Sequence, residues 1–264
     1  MDYPEPPQLK PKWLAGGRIR RSGIYWLPNA ITTVALFAGF YAIVQAMNNQ
    51  FEYAPIAIFI AMIMDGLDGR VARWTHTESD FGAQYDSLSD MVSFGLAPAL
   101  VMYEWALSGL GKLGWLAAFL YAAAAALRLA RFNVQSGGDS RYFTGLPSPS
   151  AAALIAGLVW VLHTTYGVPG KEVSFIALGI TVFAALSMVS NIRYHSFKHI
   201  NVKNRVSFVA VIAVVLVFVL ISLDPPQVLF MIFAGYAVSG PLFASLRLYQ
   251  KRKSNRRTQD SRRL

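Results

Sequence analysis

Long apolar runs alternate with short polar connections along most of the chain. About 20 apolar residues are needed for an α-helix to cross ~30 Å of hydrocarbon. The pattern therefore predicts eight transmembrane helices in an all-α, polytopic membrane helical bundle. Their approximate ranges are 29–47, 54–64 with a polar continuation, 89–107, 114–130, 150–166, 173–190, 207–223 and 228–246.

The second of these runs differs from the others. Its apolar part, 54–64, is too short to cross a membrane by itself. Charged residues follow it directly, beginning with Asp65 and Asp68 and continuing to Arg73. We therefore expect the second helix to continue through these charged positions.

The distribution of charge predicts the orientation of the bundle. The 264 residues include 24 Lys and Arg against 14 Asp and Glu, a formal net charge of +10. If the eight helices alternate in direction, every Lys and Arg except Lys112 and Lys171 falls on one side of the membrane. By the positive-inside rule, both termini are then cytoplasmic. The membrane topology accounts for the basic charge, and the chain contains no recognisable nucleic-acid-binding motif. We therefore expect no nucleic-acid binding.

Short connections predict one transmembrane domain, residues 29–246, with a polar segment at each end. Residues 1–28 form a cytoplasmic segment that either lies on the membrane as an amphipathic helix or remains a solvated basic tail. Residues 247–264 form a basic cytoplasmic tail, and we expect its run KRKSNRRTQDSRR, 251–263, to be disordered and attracted to anionic lipid. The chain has no cysteine, so any metal must be bound by oxygen or imidazole ligands.

Four aspartates lie at the ends of the second and third predicted helices, where the chain is otherwise apolar. Asp65 and Asp68 are three positions apart and Asp86 and Asp90 are four apart, so each pair lies on one helix face. A carboxylate within a membrane costs roughly 2.5 to 3.5 kcal/mol on insertion scales. If the two faces meet, the four charges repel unless cations lie between them. The spacing therefore predicts a site for Mg²⁺ or Mn²⁺, hard cations that prefer oxygen ligands.

Small residues accompany these carboxylates on the same helix faces. Three of them, Gly69, Ala72 and Gly82, each lie one helical turn from an aspartate and leave room for a bulky ligand beside the backbone. Arg73 is a nearby cation that an anionic group would meet. Metal ions, open space and an arginine favour phosphate chemistry, in which two ions can stabilise the attacking and leaving oxygens.

Other functions stay open at this point. Single aspartates near helix ends are often helix caps, although two helically spaced pairs are not typical of caps. A cation transporter also carries carboxylates in its membrane helices, but the chain lacks a second set of polar midplane positions. A lipid-binding membrane protein without turnover is the remaining non-enzyme alternative.

The aspartate segment resembles the signature of the CDP-alcohol phosphotransferase family. That signature reads D-x-x-D-G-x-x-A-R, then eight residues, then G-x-x-x-D-x-x-x-D, and the chain matches every defined position between Asp65 and Asp90. The resemblance implies an integral membrane enzyme. Such an enzyme cleaves the pyrophosphate of a CDP-linked substrate, transfers the phosphatidyl or phospho group to an alcohol and releases CMP.

The resemblance also implies a role for each residue of the signature. Asp65, Asp68 and Asp86 would bind a pair of divalent ions, and Asp90 would act as the catalytic general base while also contacting a metal. The residues implied for the CDP-lipid site are Gly69, Ala72, Arg73, Gly82 and Asn29.

Two further segments, LPNAITT and RLARFNVQSGGDSRYFTGLPSPSAA, resemble the bacterial phosphatidylserine synthase branch of this family. That branch implies transfer of the phosphatidyl group from CDP-diacylglycerol to L-serine. Arg128 and Arg131, three positions apart, could hold the serine carboxylate or the lipid phosphates, or could anchor their helix at the headgroups. The candidate acceptor or phosphate-binding residues are Arg128, Arg131, Asn133, Arg141 and Ser148.

The remaining expectations concern partners and location. The resemblance implies a homodimer among membrane lipids, with CDP-diacylglycerol and L-serine as substrates and CMP as product. The topology predicts an active site that faces the cytoplasm. Another acceptor, such as glycerol 3-phosphate, would use the same aspartates and stays an alternative.

Overall fold

The computed structural model describes residues 26–134, 142–195 and 208–260, and nearly all of them are helical. The predicted all-α membrane bundle is confirmed. The α-helices in these ranges are α1 Trp26–Met47, α2 Tyr53–Thr75, α3 Asp80–Asp90, α4 Ala97–Met102, α5 Lys112–Val134, α6 Ser148–Trp160, α7 Ser174–Val189, α8 Phe208–Leu223 and α9 Pro225–Asp260.

Several membrane helices contain wider or tighter turns. Helices α3 and α4 belong to one continuous helical segment, Asp80–Leu110. Its first π-helical turn begins directly after Asp90. Single π-helical turns within α-helices often occur at functional sites. The π-helical turns are Met91–Leu96, Tyr103–Leu107 and Val161–Thr165, and the 3₁₀ turns are Ser108–Leu110 and Gly170–Val173.

Each predicted apolar run coincides with one helical segment of the structure. Within the described ranges, six segments are long and apolar enough to cross a membrane: Trp26–Met47, Asp80–Leu110, Lys112–Val134, Ser148–Thr165, Gly170–Val189 and Pro225–Leu246. Of the other two, α2 contains the charged positions and α8 has 16 residues. The number of crossings and the side on which the termini lie stay predictions.

Helix α2 extends through its charged residues, as the short apolar run required. It ends at Thr75, and His76 caps it in the left-handed conformation with a φ of 52°. The N–H of His76 bonds to the carbonyls of the last helical turn, the usual way to satisfy groups that have no helical partner. The turn to α3 is short, so the ends of the two helices that carry the aspartates stay together.

A short two-stranded sheet joins two loops that the sequence pattern left irregular. Strand β1, Tyr142–Thr144, follows α5, and strand β2, Arg193–His195, follows α7. The strands are antiparallel, with Phe143 opposite Tyr194. Because the two strands are hydrogen-bonded, both loops lie on the same face of the bundle, as alternating helices require.

Small side chains bring α1 close to the aspartate helices. Its buried face contains Ala35, Ala38 and Ala42. A Cβ atom at Gly39 would overlap Ser93 in the first π-helical turn, so only glycine allows this approach. Close contact through small residues is how membrane helices usually pack, since lipid provides no hydrophobic driving force between them.

The predictions for the two ends of the chain compare differently with the structure. The predicted amphipathic or solvated segment falls almost wholly on residues 1–25, outside the described residues. The expectation of disorder in the run 251–263 is wrong for 251–260, because α9 continues as a helix to Asp260. Lys, Arg and Gln are good helix formers, and the preceding membrane helix provides the nucleus that an isolated segment lacks.

Candidate active site

A cavity of about 420 Å³ lies between α1, α2 and α3. This volume is within the range of small-molecule and cofactor sites. All five residues predicted to bind the CDP-lipid line it, together with two of the aspartates. The full lining consists of Pro28, Asn29, Thr32, Asp68, Gly69, Ala72, Arg73, Thr77, Glu78, Ser79, Asp80, Gly82, Ala83 and Asp86.

Three carboxylates converge at the base of this cavity. Asp65 and Asp68 project from α2, Asp86 projects from α3, and one oxygen of each lies within 4.8 Å of the others. The Oδ1 atom of Asp86 is buried and has no hydrogen-bond partner among the described residues. Closely spaced carboxylates repel, and an unpartnered buried carboxylate oxygen is costly. Both features fit a divalent cation, for which oxygen is the preferred ligand.

Asp90 lies beside this group but is not one of its three members. Its carboxyl group lies close to that of Asp65 and interacts with it electrostatically. Asp90 is the last residue of α3 before the π-helical turn, and the change of helical pitch begins there. Its predicted roles as general base and metal ligand stay predictions.

The structure adds one residue that sequence reasoning missed. Thr32 of α1 donates a hydrogen bond from Oγ1 to Asp68 Oδ2 at 2.6 Å, and its carbonyl accepts one from Ser89 Oγ at 3.2 Å. Thr32 is therefore connected to both aspartate helices, and it is 3% exposed. A signal was available, because a hydroxyl in an otherwise apolar membrane helix needs a polar partner.

We expect Thr32→Val to weaken metal binding by about tenfold, in line with the loss of an outer-shell partner. The substitution keeps the shape of the side chain but removes the donor that orients the Asp68 carboxylate. The measurement is Mn²⁺ binding to purified protein, followed by electron paramagnetic resonance. Thr33→Val is the matched control, since Thr33 bonds to the Asn29 carbonyl and to Tyr85 instead. Equal effects of the two substitutions would argue against a specific role for Thr32.

Two glycines keep the cavity open. The position of a Cβ atom at Gly69 has no neighbour within 4 Å, so the backbone of α2 is accessible there. A Cβ atom at Gly82 would lie 3.4 Å from Asn29 Oδ1 and 3.1 Å from Ser79 Oγ. Ser79 is the N-cap of α3 and accepts a hydrogen bond from the Gly82 N–H at 3.0 Å. At the start of α3, Gly82 therefore leaves little room for a side chain between Ser79 and Asn29 in the wall of the cavity.

A second polar cluster, Arg128 with Ser148, lies near Asp90. Arg128 of α5 donates a hydrogen bond to Ser148, the fully buried first residue of α6. Its guanidinium group interacts electrostatically with Asp90 and Asp65. The structure thus brings together two of the five predicted acceptor residues, next to the predicted base.

The other predicted acceptor residues have different surroundings. Arg131 donates to the carbonyl of Val189 at 3.1 Å and to that of Ser190 at 3.5 Å, at the end of α7. Asn133 donates to Ser87 at 3.0 Å and so connects α5 to α3. Arg141 lies outside the described residues. The contacts of Arg131 and Asn133 stabilise the bundle, and a role for either in binding stays a prediction.

Comparison with known proteins now decides the family. The sequence model described as CDP-alcohol phosphatidyltransferase matches residues 25–189, more than half of the chain. The chain belongs to the CDP-alcohol phosphatidyltransferase family. The match contains all four aspartates and the whole cavity. Helices α8 and α9 lie beyond it.

Several relatives in this family carry the name of one activity. The chain is 35% identical over 233 residues to a CDP-diacylglycerol–serine O-phosphatidyltransferase of Helicobacter pylori, covering 88% of this chain and 98% of that protein. A protein of the same name from a second H. pylori strain is 38% identical over 197 residues, or 74% and 83% of the two chains. One from Methanocaldococcus jannaschii is 32% identical over 217 residues, or 82% and 93%.

Proposed function

We propose that this enzyme transfers the phosphatidyl group of CDP-diacylglycerol to the hydroxyl of L-serine, giving phosphatidylserine and CMP. The observation that carries the chemistry is the convergence of Asp65, Asp68 and Asp86 beside an open cavity of nucleotide size. The choice of serine is supported by the names of relatives that align over most of their length. Transfer is a direct displacement, in which no side chain forms a covalent intermediate.

The three carboxylates would hold Mg²⁺ or Mn²⁺, as a pair of ions, with Thr32 orienting Asp68. When bound, such ions stabilise negative charge on the transferred phosphoryl group and on the leaving oxygen. Gly69 and Gly82 leave space for the nucleotide against the backbone, and Arg73 provides a positive charge at the wall of the cavity. The diacylglycerol chains remain among the surrounding membrane helices.

Asp90 would accept the proton that the serine hydroxyl loses as it attacks phosphorus. The pKa of a hydroxyl is far above neutral pH, so the group is protonated and a poor nucleophile there. A general base near the attacking oxygen is therefore needed. Arg128 lies near Asp90 and would bind the serine carboxylate. A planar guanidinium group provides two parallel donors for a carboxylate. The active site would face the cytoplasm, as the charge distribution indicates, and the enzyme would act as a homodimer.

The proposed function is tested by CMP release from the purified protein in detergent. CDP-diacylglycerol and Mn²⁺ or Mg²⁺ are supplied with L-serine, with glycerol 3-phosphate, or with no acceptor. We expect CMP release only with serine and only with metal. Release with glycerol 3-phosphate alone would retain the family chemistry but exclude serine as the acceptor. A protein that releases no CMP with any acceptor would instead fit a transporter or a lipid-binding protein.

We expect Arg128→Lys to raise the KM for serine about tenfold while the KM for CDP-diacylglycerol changes little. Lysine keeps the charge but loses the planar pair of donors. The measurement is the rate of CMP release as each substrate is varied in turn. Arg131→Lys is the matched control, because Arg131 bonds to the end of α7 and should affect stability without separating the two KM values. A rise confined to the KM for CDP-diacylglycerol would assign Arg128 to the lipid phosphates.

A further inference from the structure

Helix α9 contains a proline, Pro241, within its apolar, membrane-spanning part. Proline has no N–H, so the carbonyl of Ala237, four residues earlier, loses the partner it would have in a regular helix. This carbonyl accepts a hydrogen bond from the Tyr194 hydroxyl, at 3.1 Å. Tyr194 and Ala237 are 1% and 0% exposed, so water does not replace the missing partner. A residue of β2 thus satisfies a carbonyl that the proline leaves unpaired.

The contact surface of α9 is shaped to receive the Tyr194 ring. A Cβ atom at Gly240 would overlap this ring, so glycine is required there. The ring of Tyr236 packs on the other side, with 5.6 Å between the two centroids. Burial raises the pKa of Tyr194, which keeps its hydroxyl protonated and able to donate at neutral pH.

Tyr194 also belongs to the strand that pairs with β1, and β1 leads into α6. It lies opposite Phe143 in the register of β1 and β2. Directly after β1, the N–H of Gly145 donates to the carbonyl of Ile192 at 2.8 Å. Gly145 has a φ of +81° and packs against the end of α7, so the path of the chain into α6 is tightly determined.

This path ends at the acceptor side of the candidate active site. Helix α6 begins at Ser148, which accepts the hydrogen bond from Arg128. Tyr236, next to Ala237 on α9, lies near the same arginine. Helix α9 is therefore connected to the surroundings of Arg128 through the paired strands β1 and β2, and Tyr236 brings a second part of α9 close to this arginine. Among the described residues, the cavity near Asp68 is lined only by positions 28–86 and does not include α9.

We propose that Tyr194 is a positioning residue, which fixes α9 against the paired strands β1 and β2 through the Ala237 carbonyl and thereby sets the pocket for the acceptor alcohol around Arg128. The inference rests on the proposed function, because it assumes that Arg128 faces the acceptor. It assigns a role in acceptor binding to α9, a helix beyond the residues matched by the family model. The nucleotide cavity is formed by other helices and should not respond.

The test is a double-mutant cycle between Tyr194→Phe and Pro241→Ala. Tyr194→Phe removes only the hydroxyl and leaves the Ala237 carbonyl buried without a partner. We expect it to raise the KM for serine about tenfold, with the KM for CDP-diacylglycerol within about twofold of normal. Pro241→Ala restores an N–H that can bond to the same carbonyl. In that background the added Tyr194→Phe change should therefore have little effect on the KM for serine.

Thermal unfolding in detergent provides a readout that does not depend on turnover. Tyr194→Phe should lower Tm by about 3 to 6 °C in the otherwise wild-type protein, and by much less in the Pro241→Ala background. Tyr121→Phe is the matched control, since it removes another buried tyrosine donor, to the Phe94 carbonyl at 3.2 Å. Tyr121→Phe should lower Tm by the same amount in the wild-type protein and in the Pro241→Ala background.

Three results would overturn the inference. The first is an unchanged KM for serine in Tyr194→Phe. The second is an equal rise in the KM values of both substrates, and the third is an effect of the same size with and without the Pro241→Ala change. Failure of the proposed function is seen separately, as a wild-type protein that releases no CMP with serine. In that case the Tm cycle still tests the bond between Tyr194 and Ala237.

Discussion

Replacement of Asp90 by Asn is expected to lower turnover by about 10²- to 10⁴-fold, the contribution typical of a general base. Asparagine has nearly the same shape but cannot accept the proton of the serine hydroxyl. Because Asp90 is not among the three carboxylates that approach one another within 4.8 Å, much of the metal site should survive. The measurement is the rate of CMP release with saturating serine, CDP-diacylglycerol and Mn²⁺.

Binding separates a lost base from a disrupted site. We expect the Asp90→Asn protein to bind CDP-diacylglycerol nearly as well as the wild type in a direct binding assay, because Asp90 does not line the cavity. Its turnover should also respond little to a rise in pH. Normal turnover by this variant would exclude Asp90 as the base. Loss of lipid binding together with turnover would instead indicate a structural role.

Replacement of Asp86 by Asn is expected to raise the metal concentration needed for half-maximal CMP release by about a hundredfold. This equals the upper end of the losses seen when only an outer-shell partner is removed. Asp86 is one of the three carboxylates, and its buried Oδ1 atom has no partner within the described part of the chain. Asparagine removes the negative charge that a cation would neutralise. The measurement is a titration of CMP release with Mn²⁺ and with Mg²⁺.

Stability without metal provides an independent sign of the same role. In EDTA, Asp86→Asn should raise Tm, because it removes a charge that repels its neighbours. Added Mn²⁺ should stabilise the wild type far more than this variant, since a ligand stabilises only the state that binds it. Asp80→Asn is the matched control, on the same helix but outside the three-carboxylate group. An unchanged metal titration in Asp86→Asn would argue against metal binding by this residue.

The local pattern of the chain was sufficient for the helices and for the aspartate pairs. A membrane requires about 20 apolar residues per helix, so a crossing is visible in the sequence before any tertiary contact is known. Helical periodicity places Asp65 with Asp68, and Asp86 with Asp90, on their respective faces. The short apolar run at 54–64 also indicated that α2 continues through the charged residues that follow it, and α2 does extend to Thr75.

The same pattern could not distinguish between Arg128 and Arg131. Both belong to one helix face, and both suit an anionic ligand. In the structure Arg128 lies between Ser148 and the aspartates, while Arg131 bonds to the end of α7. The difference depends on which neighbouring helix each side chain meets, and helical spacing contains no information about that neighbour.

The amino-acid sequence by itself determined the membrane class, the helical segments and the carboxylates of the candidate metal site, because each of these depends on residues within a few turns of one helix. Only the tertiary structure placed Thr32 against Asp68, paired β1 with β2 and brought Tyr194 to the carbonyl that Pro241 leaves free. The two side-chain contacts join residues 36 and 43 positions apart in the chain, and two helices separate the paired strands. Each contact depends on how whole helices pack, and packing is decided by the shapes of all the helices together.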